Sequence, residues 1–248
     1  MSGPPGRASV FAPPRVRGSE HLDDHTLDPA VALRSLVDIS RSNRLLGGTS
    51  AVLSAIRPYL VRAAGRRRTP ADGNGGVLSI VDVGTGAGDI PVAVRLLASR
   101  LDIRTRTIGL DRTLPIAAAA NRACGLAVAG DARQLPFADR SVDVVTCSQL
   151  LHHFADPEAL MVIRELHRVA RTCVVIGELR RSWIAAAGVW LLSWPLAFHR
   201  VSRHDGVVSV VRGYAGDELA ALVRNAVGIT PTIQHRPAYR VTAAWSVA

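Results

Sequence analysis

The stretch 80-IVDVGTGAGDI-90 runs a β-branched segment straight into glycines at every second position, and that junction constrains the fold more than any other part of the chain. A strand that ends in a bare turn opening a helix places ligand at the carboxyl end of the strand, beside a helix N-terminus. The pattern then repeats. Short apolar runs near 77–83, 105–111, 126–130, 142–148 and 172–178 alternate with helical periods near 88–100, 113–124 and 156–171, the mark of a parallel sheet wrapped by helices. A further helix reads over 216–228 with Gly228 as its stop, and two strand-like runs, 229–236 and 239–247, meet at a turn at Pro237.

Upstream, Asp28-Pro29 has the form of a helix N-cap followed by proline at the first helical position, and apolar residues recur to a stop at Gly47-Gly48. A second helix reads over about 50–63, followed by the polar, glycine-rich stretch 65-GRRRTPADGNGG-76. The first twenty residues hold four prolines and no apolar signal-like core, so 1–27 is expected to be a flexible lead-in. The plan is therefore a lead-in, a helical cap at 28–64 and one main domain at 77–248, with an insertion at about 180–214. At 248 residues and 48 % hydrophobic content, a single core suffices.

The formal charge of +10 invites a nucleic-acid reading. All thirty basic residues are arginine, they are scattered, and only eleven aromatics are available for stacking, so the charge reads as a solvated face and a nucleic-acid partner is not expected. Cys124, Cys147 and Cys173 form no pair at metal or redox spacing. They read as small buried residues of a reducing, cytoplasmic compartment, and no metal is expected.

Dinucleotides and S-adenosylmethionine both suit a glycine turn in this setting. The dinucleotide fingerprint needs glycine or alanine at position 89, where this chain has Asp89. A pyrophosphate would be poorly placed between Asp82 and Asp89, whereas a sulfonium and an ammonium would be attracted by both. Asp111 ends 107-TIGLD-111, where a carboxylate can accept ribose hydroxyls, and Asp131 follows 127-AVAG-130, where one can accept an adenine amino group. The charges favour a cationic ligand. Asp82 is equally suited to holding the loop's own amides, and Asp139 and Asp143 read as turn residues.

Taken in order, 81-VDVGTGAGD-89, Asp111, 130-GDARQLPFADRSVDVV-145, 148-SQLLHHF-154 and 156-DPEALMVIRELHRVAR-171 resemble the class I S-adenosylmethionine-dependent methyltransferases, in the branch of ubiquinone and menaquinone biosynthesis. The resemblance implies an α/β, Rossmann-like fold: a seven-stranded, mostly parallel sheet with helices on both faces, an N-terminal helical extension and a helical lid insertion after the fifth strand. It also implies that Gly84, Gly86 and Gly88 lie under the methionine part of the cofactor. By the same carry-over Asp111 binds ribose, Asp131 with Ala132 binds adenine, and Ser148 and Gln149 border the methyl group.

What selects the acceptor must lie in the cap and the insertion. The run 183-WIAAAGVWLLSWPLAF-198 is uncharged, interrupted by Pro195, and shorter than the roughly 20 residues of a membrane helix. Trp183, Ala187, Trp190, Leu191, Trp194 and Phe198 fall on one helical stripe. A lid packed on the core is the leading reading; a wall of an apolar acceptor pocket and docking on a membrane surface, flanked by Arg180, Arg181 and Arg200, are the alternatives. Within 202-SRHDGVVSVVRGY-214, Arg203, His204 and Asp205 read as a surface turn ending at Gly206. Asn43 and Arg44 sit on a helix end that could cap the cofactor pocket.

Methyl transfer from a sulfonium needs no metal, but a phenol with pKa near ~10 needs a base, and histidine suits that role. His204, His152 and His153 are the candidates, with at least one of the adjacent pair expected to be a packed structural histidine. The function expected is methylation of a lipophilic small molecule, with O-methylation of a phenolic or polyketide-like acceptor ahead of C-methylation of a quinone precursor. A cofactor-binding scaffold without catalysis is the rival from another class, and a nicotinamide oxidoreductase a distant third.

Overall fold

A computed structural model describes residues 13–15, 18–24, 26–66 and 76–247. The rest of the lead-in and residues 67–75 of the glycine-rich stretch lie outside the described residues. Among those described, seven strands form one sheet in the order β3-β2-β1-β4-β5-β7-β6. Strands β1 (Leu78–Val83), β2 (Thr105–Asp111), β3 (Ala127–Ala129), β4 (Val142–Ser148) and β5 (Ala170–Leu179) run parallel. β7 (Arg240–Ser246) pairs antiparallel with both β5 and β6 (Thr232–Arg236). The chain steps outward from β1 through β2 to β3, then returns to place β4 on the other side of β1. That reversal opens a crevice at the carboxyl ends of β1 and β4.

The period-two alternation of the strands sorts the core into two layers. Leu78, Ile80, Val144 and Val175 pack against α2 (Gly48–Arg66) and α3 (Asp89–Arg100). Val81, Val83, Val145 and Ile176 pack against α5 (Asp156–Val169) and α8 (Gly216–Val227). The remaining crossover helix is α4 (Leu114–Cys124), and all three cysteines are buried and free. The β6–β7 connection turns on Ala238 and Tyr239, with φ of 54° and 56°. Two successive left-handed residues give the turn the twist that an antiparallel hairpin needs.

Asp28 caps α1 (Pro29–Leu45) by accepting from the Ala30 amide, with Pro29 at the first position. The insertion forms two helices, α6 (Trp183–Ser193) and α7 (Arg200–Arg212). Ser182 caps α6, and the buried Asp38 of α1 accepts from His199 N at 2.8 Å and Ser202 Oγ at 2.9 Å at the start of α7. Cap and insertion are thus joined by one carboxylate.

Three expectations change here. Gly206 does not end a turn: α7 runs through it, and a Cβ there would stand 3.0 Å from Val189 Cγ1 of α6. The glycine permits close helix crossing, a demand that a local reading of turn chemistry does not register. Asp143 is not a turn residue; it lies buried in β4, accepting from Ser79 N and Oγ at 2.8 Å and from Arg171 Nη1 at 2.7 Å. The tryptophan stripe does not pack on the core. Phe198 is buried, but Trp183, Trp190 and Trp194 are each at least half exposed, because α6 meets α7 through its small residues Ala185, Ala186 and Val189 instead.

Candidate active site

The glycine turn follows β1 directly, and Gly84, Gly86 and Gly88 have φ of 73°, 52° and 78°. Side chains are strained there, and at Gly84 a Cβ would also stand 2.8 Å from Leu150 Cδ2. Gly86 N donates to Asp111 Oδ2 at 3.1 Å. The β2 carboxylate therefore braces the loop from the neighbouring strand.

Asp82 lies beneath the turn, accepting from Thr146 Oγ1 at 2.7 Å through Oδ1, with Oδ2 left without a hydrogen-bond partner. Burial pushes its pKa up to about 7, and the nearby charges of Asp89 and Asp111 add to the rise. Burial likewise raises Asp89 and Asp111. Crowded, desolvated carboxylates with an unused acceptor atom fit a positively charged guest and oppose an anionic one. Asp131 is the exception. It is held by Arg133 (2.7 Å), which also pairs with Glu158 (2.6 Å), and its pKa is lowered by that guanidinium. Ala132 beside it is buried.

Asn43 closes this region from α1, donating to Asp89 Oδ2 at 3.3 Å and accepting from Gln149 Nε2. Arg240 of β7 donates to Gln149 Oε1 at 2.9 Å and to the Leu46 carbonyl at 3.1 Å. Gln149, with φ of 52°, is a non-glycine residue in the left-handed region, a strained conformation of the kind that collects at functional sites. Ser148, Gln149, Glu178 and Arg240 line a small recess with Gly48, Ala51 and Gly177. Burial pushes the Arg240 pKa down to about 10, partly countered by Glu178.

The adjacent histidines separate into two environments. His152 is buried, with Nδ1 at 2.8 Å from Glu178 Oε2 and Nε2 making no hydrogen bond. Glu178 also accepts the Leu150 and Leu151 amides, which fixes the turn of 3₁₀ helix at Leu151–His153. His153 is partly exposed, with Nδ1 at 2.7 Å from Asp23 Oδ1 and Nε2 at 3.8 Å from Glu20 Oε2. Burial alone would lower the His153 pKa, but the Asp23 hydrogen bond and the Glu20 and Asp23 charges raise it on balance. Arg212 ties the group together, donating to Glu20 (3.1 Å), Asp23 (2.8 Å) and the carbonyls of His152 and His153. The His153 charge reaches Asp111, where burial raises the pKa and the backbone amides and this charge offset part of the rise.

Sequence reasoning missed Glu20, Asp23, Glu178, Arg212 and Arg240. Glu20 is buried and Asp23 belongs to a 3₁₀ turn, so residues 18–24 are a packed strap and not a flexible lead-in. The 20-EHLDD-24 acidic run was the available signal, since charge clustering in a proline-rich lead-in has no local purpose. His204 stands in a separate group, with its Nδ1 at 3.0 Å from His21 Nδ1 and 2.9 Å from Asp205 Oδ1. Arg203 turns away from it, stacking over Trp194 at 4.0 Å. Among the described residues two clusters, Glu20–His152–His153 and His21–His204–Asp205, bring ligand-type atoms together. In the first, Arg212 already supplies the positive charge.

Residues 81–173 match the family model of a methyltransferase domain. The demethylmenaquinone methyltransferase of Roseiflexus sp. is 37 % identical over 120 residues, 44 % of this chain and 47 % of that protein, so the match spans about half of each. Among solved structures, a SAM-dependent methyltransferase from Aquifex aeolicus superposes with a TM-score of 0.55 at 16 % identity, covering 90 % of this chain and all of that one. An O-methyltransferase of neocarzinostatin biosynthesis, solved with S-adenosylmethionine and 2-hydroxy-5-methyl naphthoic acid, gives a TM-score of 0.59 at 16 % identity over 93 % of this chain and 62 % of that one. Those two likenesses establish the fold. Residues 81–173, which carry the motifs along β1–β5, are thus similar to a methyltransferase domain, in a fold shared with S-adenosylmethionine-dependent methyltransferases.

Proposed function

We propose that the protein methylates a lipophilic small molecule carrying an acidic hydroxyl, with His153, set by Asp23, as the base. The observation that carries this reading is the 2.7 Å His153–Asp23 pair, placed within electrostatic reach of Asp111. Bound S-adenosylmethionine supplies an electrophilic methyl group. Asp111 would hold its ribose, Asp131 and Ala132 its adenine, and the Gly84–Gly88 turn its methionine part, with Ser148 and Gln149 beside the methyl. Asp82 and Asp89 would set the negative field that a sulfonium and an ammonium require.

Asp23 fixes His153 Nδ1 and leaves Nε2 to take the hydroxyl proton as oxygen attacks. The raised pKa brings the base closer to a phenol and so favours transfer. His152, buried on Glu178, positions the turn and is not the proton acceptor. His204 lies with His21 and Asp205, and its role here is to hold the strap.

C-methylation of a quinone precursor is the second reading, favoured by the likeness to a demethylmenaquinone methyltransferase. It needs the same proton removed and differs in the atom that bears the methyl. The test is incubation with isotope-labelled S-adenosylmethionine and an extract of apolar metabolites, followed by mass spectrometry of labelled products. An O-methyl product supports the leading reading and a ring C-methyl product the second. Tight cofactor binding with no labelled product from any acceptor would leave a non-catalytic scaffold.

A further inference from the structure

The apolar face of α6 is unusual for a protein surface. Trp183, Ile184, Trp190, Leu191, Leu192 and Trp194 are 43–60 % exposed and lie along three turns of one helix and its C-cap. Of the residues in α6, only Ala186 and Ser193 are buried. Scattered exposed apolar residues need no explanation, but a contiguous band with three tryptophans does. The exposed charges that flank it in the chain have one sign. Between Glu178 and Asp205 there is no acidic residue and four arginines, and both of those flanking carboxylates are themselves buried. Arg181 is paired with Glu218. Arg200 is exposed, Arg180 is partly exposed, and Arg203 lies flat over the Trp194 ring at 4.0 Å.

We infer that the α6 face docks the protein on an anionic lipid bilayer, lying in the headgroup region with the tryptophan band in the acyl boundary and Arg180, Arg200 and Arg203 on lipid phosphates. Tryptophan beside arginine is the composition that the bilayer interface selects, because the indole has an apolar body and a polar N–H and the guanidinium meets phosphate. The helix does not span: no helix among the described residues is long and apolar enough to cross a membrane. Charge complementarity separates a bilayer from a second copy of this chain, which at a formal +10 would bring the same arginines against themselves. α6 also follows β5 directly. The band therefore lies on the same edge of the sheet as the glycine turn, and a docked protein would turn its acceptor side toward the lipid. This inference stands on surface chemistry and holds whichever atom is methylated.

The fourth tryptophan, Trp245, is buried in β7, so indole emission reports chiefly on the band. Vesicles of phosphatidylcholine alone and of phosphatidylcholine with 30 % phosphatidylglycerol serve as probes for the full chain. Expected are co-sedimentation with the anionic vesicles, a blue shift of emission, and quenching by brominated acyl chains. Trp190→Ser with Trp194→Ser should weaken partitioning at least tenfold, and Arg200→Glu with Arg203→Glu should do the same on anionic vesicles. The tryptophan pair and Arg200 are exposed, so the melting temperature and cofactor affinity should stay at wild-type values in those variants. Arg203 is half-buried and its Nε donates to the Phe198 carbonyl at 3.1 Å, so Arg200→Glu alone is the second charge variant that guards against misfolding. Wild-type protein that ignores anionic vesicles overturns the inference. So does equal partitioning of the tryptophan variant, or a dimer in light scattering that the tryptophan variant dissolves, which would assign the band to a second copy.

Discussion

The cofactor half and the covering half of this molecule are assembled over different distances in the chain. Around the glycine turn the contacts within the sheet and its loops are shorter in sequence: Gly86 to Asp111 spans 25 residues, Arg133 to Asp131 two, and Thr146 to Asp82 64, with Asn43 reaching Gln149 over 106 as the exception from the cap. From the strap, and between the cap and the insertion, they are long. His153 to Asp23 spans 130 residues, Ser202 to Asp38 164, and Arg212 to Glu20 192. The first half can be read from strand ends and loop composition, whereas the second exists only once the strap, α1 and α7 have been brought together. Under the proposed function the two halves divide the roles: the local half would hold the cofactor, and the distant half the base and the acceptor.

If that division is right, damage to each half should have its own signature. The largest effect is expected for His153→Ala, a fall in kcat of about 10²–10⁴-fold, the worth of a positioned base. Asp23→Asn should approach it, and isothermal titration should find cofactor affinity nearly unchanged in both. His152→Ala should instead lower the melting temperature, since it removes the imidazole bonded to Oε2 of the buried Glu178 and leaves that carboxyl with backbone amides alone. A loss of cofactor binding in His153→Ala would erase the boundary between the halves.

Gly84→Val should have the opposite signature. Its φ of 73° and a Cβ 2.8 Å from Leu150 Cδ2 leave no room for a branched side chain, at a cost of about 3–4 kcal/mol seen as weakened cofactor binding and a lower unfolding midpoint. Asp111→Ala is milder. It should weaken cofactor binding by about 1.5–3 kcal/mol, the range for hydrogen bonds to a charged group, and part of that loss comes from freeing the Gly86 amide that it braces.

The smallest and most diagnostic effect concerns Asp82. Its folded pKa of about 7 lies above its ordinary value of 3.8, so the protein without ligand favours the protonated form and loses stability as pH rises from about 4 through 7. A cation held nearby favours the ionised form. Cofactor binding should therefore release up to one proton per protein near neutrality, and the thermal shift on adding S-adenosylmethionine should be larger at pH 8 than at pH 6. Asp82→Asn should flatten that pH dependence. A pH-independent shift in the wild-type protein would place the cationic centre away from Asp82.

The parts that sequence reading recovered share one property. The order of β1 to β5, the caps at Asp28 and Gly228 and the carboxylates at strand ends each follow from periodicity or turn chemistry within a few residues. Gly206 and the tryptophan band show where this stops. A glycine in a polar setting resembles a turn until a neighbouring helix needs its missing side chain, and a tryptophan stripe resembles core until the opposite face of the helix is found to be the buried one. Asp143 misled for the same reason, since its turn-like neighbours conceal that Ser79 and Arg171 await it across the sheet.

By itself, the amino-acid sequence determined the sheet, the glycine turn and the negative field around it, because hydrophobic period, glycine spacing and charge are local properties of a chain. Only tertiary structure decided that Glu20 and Asp23 meet His152, His153 and Arg212, and that the tryptophans face outward. Those outcomes depend on which surfaces of distant elements are buried against each other, and burial is a property of the whole packed molecule. It also sets the tendency of each carboxyl and imidazole to hold its proton, so the chemistry of the site emerges at that level.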